Sequence, residues 1–181
     1  MEKSKAKKIA VLGVLAALVI LLQCLGGLFA IGGLSLSFVL VPIVLGGVVF
    51  GVGVGAALGL IFSLIVFFYG LFGLEPFTAY LLAEFTVPAI FTVFVKGIAA
   101  GTVSALVYKA LKNKNEYAAV VLAAICAPVV NTGLFMVGVL VMGDAVLSLL
   151  SITVLFNFLI ELAINVVLAP SLYRVIKVVK I

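Results

Sequence analysis

The amino-acid sequence predicts an all-α integral membrane protein with six transmembrane helices and both termini in the cytoplasm. Two observations predict this fold class. First, 67% of the 181 residues are hydrophobic and only 9% are charged, with a mean hydropathy of +1.54. A soluble domain, by contrast, is about half apolar and about a quarter charged. Second, most of the basic residues are collected in three short clusters that separate long apolar runs.

The apolar runs predict helices because their length and pattern fit no other membrane structure. Lipid offers no hydrogen bonds to the backbone, so a membrane-spanning chain forms helices or a closed barrel. A helix needs about 20 apolar residues to cross a bilayer, and the runs are continuous instead of alternating with a period of two. Residues 27–37 are predicted as a loop, residues 51–55 as a tight return and residues 70–87 as a longer connecting segment. We predict one domain over residues 1–181, with helices at residues 7–26, 38–50, 56–69, 88–112, 117–142 and 146–175.

The basic clusters predict the orientation of these helices, because Lys and Arg collect on the cytoplasmic side of membrane proteins. With six helices, the cytoplasmic segments contain four, zero, three and three basic residues. The outer connections contain none and include Glu75, Glu84 and Asp144. The net charge of +5 therefore indicates topology in a lipid bilayer and not a nucleic-acid partner. The clusters are formed by Lys3, Lys5, Lys7 and Lys8, by Lys109, Lys112 and Lys114, and by Arg174, Lys177 and Lys180.

Polar residues interrupt four of the apolar runs at a similar depth. Counting from the cytoplasmic ends with the usual helical rise places them about 20 to 25 Å above that surface. In a hydrocarbon core about 30 Å thick, this depth lies in the outer half. The convergence predicts a water-accessible cavity that opens to the exterior. The candidate binding residues are Gln23, Lys96, Asn131, Thr132, Asn157 and Glu161.

These polar residues also have alternative roles. Asn and Gln connect membrane helices through hydrogen bonds worth about 1 kcal/mol or less. Lys96 is costly in hydrocarbon, so it extends to the outer interface, pairs with Glu161, or complements an anionic or strongly polar ligand. Asn131 follows Pro128, which removes a backbone hydrogen bond, and this favours a pocket. Asn165, nearer the midplane, is a candidate for the pocket floor.

A stripe of small residues follows one face of the first predicted helix. Ala6, Ala10, Gly13 and Ala17 are spaced i, i+4, i+7 and i+11. Small residues with this spacing permit the close approach of another helix. That helix belongs either to the same chain or to a separate subunit. The stripe lies in the cytoplasmic half, away from the polar layer, which makes it a candidate partner interface.

The sequence lacks the residue patterns of several function classes. It contains no His and no cluster of catalytic or metal-ligating residues, so we predict neither a metal site nor a cofactor. The motif GxxxxGK[ST] is absent, so the sequence shows no P-loop for ATP hydrolysis. Cys24 and Cys126 are isolated within apolar runs and are expected to be small apolar residues of the spans.

Four segments of the chain carry a resemblance to a known membrane-protein family. They are residues 8–17 (KIAVLGVLAA), 41–51 (VPIVLGGVVFG), 96–101 (KGIAAG) and 127–133 (APVVNTG). The first resembles a small-residue interface motif, with Gly13 in its first small position, and the others resemble parts of the second, fourth and fifth helices. The family is the substrate-binding S components of energy-coupling-factor (ECF) vitamin transporters, and the resemblance extends over essentially the whole chain.

The resemblance implies a subunit that binds a vitamin-like small molecule at its outer face. Such a subunit works with a transmembrane coupling subunit and two cytoplasmic ATPases, and it is expected to topple in the membrane to release its ligand. Residues 27–37 and 70–87 would gate the pocket. Residues 127–133 are most similar to pantothenate-type members, while cobalamin, pyridoxine or a pyrimidine precursor also fit this fold class.

Two other function classes remain open from the sequence. A small membrane enzyme, such as a lipid-modifying transferase, needs an acid or base that only Glu161 or Glu84 provides. A structural or chaperone-like subunit has no use for a shared polar layer. Binding of a vitamin panel by the purified protein separates the three classes.

Overall fold

The computed structural model describes residues 2–28, 30–31, 34–35 and 38–179, which form seven helices and one short antiparallel hairpin. Helices α1, α3, α5, α6 and α7 each contain an apolar stretch of 20 to 27 residues, which is long enough to cross a bilayer. In chain order the elements are α1 (Glu2–Leu28), β1 (Ala30–Ile31), β2 (Leu34–Ser35), α2 (Leu40–Phe50), α3 (Val52–Leu71), α4 (Pro76–Glu84), α5 (Thr86–Leu111), α6 (Glu116–Met142) and α7 (Asp144–Val179).

The helical architecture and the long apolar spans confirm the predicted class of an α-helical membrane protein. The predicted helix at residues 38–50 is α2, which has only 11 residues. Its length of about 16 Å is about half of a hydrocarbon core. Leu40, Ile43 and Val44 of α2 are fully buried, so this helix packs inside the protein. Six crossings and cytoplasmic termini therefore stay predictions. Lys180, which the C-terminal basic cluster includes, lies outside the described residues.

Two connecting segments are more ordered than the sequence predicted. Residues 70–87 contain the helix α4. Glu75 occupies its N-cap position, and Pro76 lies in its first turn. Proline begins helices well, since its missing N–H group has no helical partner at this position. The return between α2 and α3 is shorter than residues 51–55. Gly51 alone separates the two helices, with a φ of +98° that favours glycine.

The predicted loop at residues 27–37 contains the hairpin of β1 and β2. Ala30 pairs with Ser35, and Ile31 pairs with Leu34. Strand β2 contacts α1, α4 and α7, so the hairpin packs against three helices. Residues 29, 32–33 and 36–37 of this loop lie outside the described residues.

Helices α3 and α5 approach each other so closely that their backbones are in contact. Gly55 and Gly59 on α3 face Gly101 and Gly97 on α5. A side chain at Gly59 would meet the carbonyl oxygen of Gly97, and one at Gly101 would meet the carbonyl oxygen of Gly55. Small residues four apart on both helices permit this packing. The contact determines how α5 is rotated relative to α3.

Ser63 continues the contact between α3 and α5 by one more turn. Its buried hydroxyl lies 3.0 Å from the carbonyl oxygen of Gly59 and 2.9 Å from that of Val93 on α5, and it donates its hydrogen between them. A buried hydroxyl with these partners stabilises the pair of helices.

Two apolar clusters fill the interior around this pair of helices. The larger cluster includes Phe62 of α3 and the buried face of α2. The smaller cluster includes Leu81 of α4, Phe135 of α6 and Val154 of α7. The smaller cluster attaches the short helix α4 to the long helices, beside the layer of polar residues.

We expect Gly59→Ala to lower the free energy of unfolding by about 1–3 kcal/mol, because its methyl group overpacks the contact with the α5 backbone. Thermal unfolding of the purified protein in detergent measures the change. Gly53→Ala is the matched control in the same helix, where a methyl group enters open space and alanine favours the helix by up to about 1 kcal/mol. Equal unfolding midpoints for the two variants would contradict the close contact.

Cysteine labelling tests the predicted orientation. In a parent with Cys24 and Cys126 replaced by Ala, Asp144→Cys should react with an impermeant reagent from outside. Lys114→Cys should react only after permeabilisation, because it lies in a basic connection that is expected to be cytoplasmic. The reverse pattern would refute an orientation with cytoplasmic termini.

Candidate substrate-binding site

A polar cavity lies among α1, α3, α4, α5, α6 and α7. The space that solvent can occupy in it is about 50 Å³, enough for only one or two water molecules. Its apolar lining is Val66, Leu81, Ala89, Val93, Phe135 and Val154. Its polar lining is Gln23, Glu75, Thr78, Thr92, Lys96, Asn131, Thr132, Asn157 and Glu161.

All six candidate binding residues from the sequence line this one cavity. They come from α1, α5, α6 and α7, the four helices on which the sequence placed them at a similar depth. Lys96 and Thr132 are half-buried, and the other four are buried. Asn165, the candidate for the pocket floor, is not part of the lining. Its Nδ2 donates a hydrogen bond of 2.8 Å to the carbonyl oxygen of Glu161 in its own helix.

The Lys96 ammonium lies near two aromatic rings in the cavity. Its Nζ is 4.9 Å from the centre of the Phe135 ring and 5.6 Å from that of Phe62. Aromatic faces attract cations electrostatically. The acidic residues Glu75 and Glu161 line the same cavity. The lysine is therefore part of the cavity wall and does not extend away from it.

Glu75 and Thr78 are wall residues that the sequence analysis missed. Both are buried, and the Thr78 hydroxyl donates a hydrogen bond of 2.7 Å to Oε2 of Glu75. The helix α4 brings them to the cavity. The available signal was the pair Glu75-Pro76, because a polar residue followed by proline commonly begins a helix. A third missed wall residue is Thr92 of α5, whose hydroxyl donates a hydrogen bond of 2.8 Å to the carbonyl oxygen of Pro88.

Three buried amide side chains of the cavity wall have oxygen atoms that accept no hydrogen bond from the described part of the chain. These atoms are Oε1 of Gln23 and Oδ1 of Asn131 and Asn157. The residues are only 1%, 5% and 7% exposed. A buried polar atom without a partner costs about 1–3 kcal/mol. If these three residues served only to connect helices, their oxygens would accept hydrogen bonds from neighbouring helices. The lack of such bonds among the described residues favours contact between these oxygens and a bound molecule.

The stripe of small residues on α1 faces away from the protein interior. Ala6, Ala10, Gly13 and Ala17 are all exposed. A side chain at Gly13 would meet no atom within 4 Å. The alternative that the stripe packs against another helix of the same chain therefore fails for the described residues.

These features define a multi-pass membrane protein with a buried polar cavity. Residues 7–173 of the sequence match the sequence model of one protein family, which is described as "ECF transporter, substrate-specific component". The chain belongs to this family. No curated protein and no solved structure matches the chain in the corresponding comparisons.

Family membership decides the class of function. Members are the substrate-specific subunits of vitamin and micronutrient transporters in the membrane, and they work with a transmembrane coupling subunit and ATPases. The chain is thus a transporter subunit and not an enzyme. This result removes the lipid-modifying transferase and the structural subunit as alternatives.

We expect Asn131→Leu to raise the free energy of unfolding of the ligand-free protein by about 1 kcal/mol. The substitution keeps a similar volume and removes a buried oxygen that has no partner among the described residues. Ser63→Ala is the comparison, because it removes a paired hydroxyl and should lower stability by about 1 kcal/mol. Thermal unfolding measures both. An equal loss in both variants would show that Asn131 connects helices.

Proposed function

We propose that the chain binds a vitamin or related micronutrient in this cavity and presents it for uptake by an ECF transporter. The observation that carries the proposal is the convergence of buried polar side chains from four long helices. Three of these side chains have oxygen atoms with no hydrogen-bond partner among the described residues. Such groups are costly in a membrane protein unless a ligand uses them. We propose ligand contacts from Gln23, Lys96, Asn131, Thr132, Asn157 and Glu161.

Ligand entry requires the cavity to widen. Small-molecule pockets occupy about 300–1,000 Å³, far more than the space of about 50 Å³ in this cavity. The wall includes one short element, α4, and β2 of the hairpin contacts α1, α4 and α7. We propose that α4 and the hairpin move away from α7 to admit the ligand. This end of the cavity faces the exterior in the predicted orientation.

Pantothenate is the first ligand that the resemblance suggests. Residues 127–133 are similar to the matching segment of pantothenate-type members, and they include Asn131 and Thr132 of the cavity wall. Cobalamin, pyridoxine and a pyrimidine precursor complete the panel of candidate ligands.

The stripe formed by Ala6, Ala10, Gly13 and Ala17 is proposed as the docking face for the transmembrane coupling subunit. Its exposure supports this role, because small residues on a lipid-facing helix permit close approach of a second helix. The ATPases would act through that subunit, since the chain has no P-loop.

We expect the purified protein to bind one member of the ligand panel in detergent without other subunits. Ala17→Leu should keep this binding and lower ATP-driven uptake in the presence of the coupling subunits at least about 10-fold, because a large residue overpacks the docking contact. Equilibrium binding with radiolabelled ligand and uptake into proteoliposomes measure the two effects.

Ala163→Leu is the matched control, because Ala163 is an exposed position on α7 where the same substitution faces lipid. Binding and uptake should both be unchanged in this variant. Loss of ligand binding in Ala17→Leu would show that the stripe supports the fold of the chain itself. Absence of binding by every panel member would contradict the proposed function.

A further inference from the structure

A second cavity, here called the basic pocket, is lined by α2, α3 and α5. Its described lining consists of residues 47–52, at the return between α2 and α3, and residues 105, 108–109 and 112 at the end of α5. The space that solvent can occupy in it is about 420 Å³, which lies within the range of about 300–1,000 Å³ for small-molecule sites. The basic pocket shares no described lining residue with the candidate substrate-binding cavity.

The basic pocket lies at the level where α5 leaves the hydrocarbon core. Lys112 directly follows the apolar span Thr86–Leu111, and Lys109 lies one turn before it. Lysine side chains at the end of a span place their ammonium groups at the membrane surface. Leu106 lies three residues before Lys109, so it belongs to the same face of α5, and it is 47% exposed. An occupant of the pocket would therefore lie between the lipid headgroups and the acyl chains.

The described wall of the basic pocket contains two basic side chains and no acidic one. Lys109 and Lys112 are exposed, and neither forms an ion pair within the described part of the chain. The Nζ of Lys112 lies 6.0 Å from the centre of the Tyr108 ring, which is part of the pocket wall. Glu116 is outside the described lining, and its Oε1 accepts a hydrogen bond of 3.1 Å from the Tyr108 hydroxyl. The wall therefore offers N–H donors and positive charge to an anion.

The remaining wall of the basic pocket is largely apolar. Val48, Val49, Phe50 and Val52 belong to it, and the last three are half-buried. A soluble phosphate compound has no apolar part to contact these side chains, whereas a phospholipid has both a phosphate group and acyl chains. The combination of two lysines with an apolar wall thus favours a phospholipid over a free anion.

We propose that the basic pocket binds the headgroup of an anionic phospholipid. Lys109 and Lys112 donate hydrogen bonds to its phosphate oxygens, and the apolar wall contacts the glycerol and the first methylene groups of the acyl chains. Basic pockets between membrane helices on the cytoplasmic side bind anionic headgroups, and this end of α5 is cytoplasmic in the predicted orientation. The lipid would connect the ends of α2, α3 and α5, at a site separate from the proposed substrate contacts.

Two phospholipids with the same dioleoyl chains test the charge of the headgroup. Phosphatidylglycerol has a net negative charge, whereas the choline of phosphatidylcholine offsets its phosphate. Native mass spectrometry of the purified full-length protein in detergent counts the bound lipids and measures their affinities. One phosphatidylglycerol should bind at least about 10-fold more tightly than phosphatidylcholine, because both lysines attract the anionic headgroup. Equal affinities of the two lipids would overturn the inference.

Matched lysine variants assign the effect to the basic pocket. Lys109→Gln and Lys112→Gln each remove one basic group from the wall and should weaken phosphatidylglycerol binding about 5-fold, with a change of less than about 2-fold for phosphatidylcholine. Lys114→Gln removes the same charge from an exposed position outside the described lining and should leave both affinities unchanged. An equal loss in all three variants would show diffuse attraction to the basic end of the protein and would contradict a site.

A change of volume separates the pocket from its charge. Val52→Trp keeps both lysines and fills part of the pocket, so it should weaken phosphatidylglycerol binding about 10-fold. Val49→Trp repeats the test from α2 if Val52→Trp unfolds. Unchanged phosphatidylglycerol binding in either folded variant would show that the lysines act without the pocket, against the inference.

Two further results would identify a different occupant. Glycerol 3-phosphate has the phosphate without acyl chains and should not displace phosphatidylglycerol at equal concentration. Displacement would assign the pocket to a soluble phosphate compound. Loss of assembly with the coupling subunits in Lys109→Gln and Lys112→Gln, without any preference for phosphatidylglycerol, would assign it to an acidic partner segment. Either result overturns the inference and leaves the proposed function intact, since vitamin binding should be unchanged in all these variants.

Discussion

The close contact between α3 and α5 is the constraint on which the geometry of the cavity depends. Lipid supplies no hydrophobic force between helices, so association relies on close packing and hydrogen bonds. Glycine at the facing positions brings the two backbones together, and neither helix can rotate without a clash. Lys96 directly precedes Gly97 of this contact. Because the helical repeat is fixed, the glycine contact also fixes the direction in which Lys96 enters the cavity.

Helix α1 connects the proposed docking face with the proposed binding cavity. Its small-residue stripe is exposed along one face, while Gln23 is 1% exposed and belongs to the cavity wall. Ala17 and Gln23 are about 9 Å apart along the helix axis. A rigid helix transmits a tilt over this distance. A coupling subunit that docked on the stripe as proposed and reoriented α1 would therefore also shift one wall of the cavity, which is a physical route from assembly to ligand release.

The sequence was sufficient for the helical membrane class and for six polar wall residues, because a polar residue inside an apolar run has few explanations. Glu75 and Thr78 were not found, since they lie in a connecting segment where polar residues are common. Their burial depends on the packing of α4 against the long helices. The glycine contact was equally inaccessible, because the small residues of one helix do not identify the helix that they face.

The charge of the cavity illustrates why a single residue is a weak guide to a ligand. Taken alone in an apolar run, Lys96 indicates a negatively charged or strongly polar ligand. The folded chain adds Glu75 from the N-cap of α4 and Glu161 from α7 to the same cavity wall. The lysine therefore shares the cavity wall with two acidic side chains. Because Coulomb interactions in a buried site act over the whole wall, the complete set of charges decides which ligand is attracted.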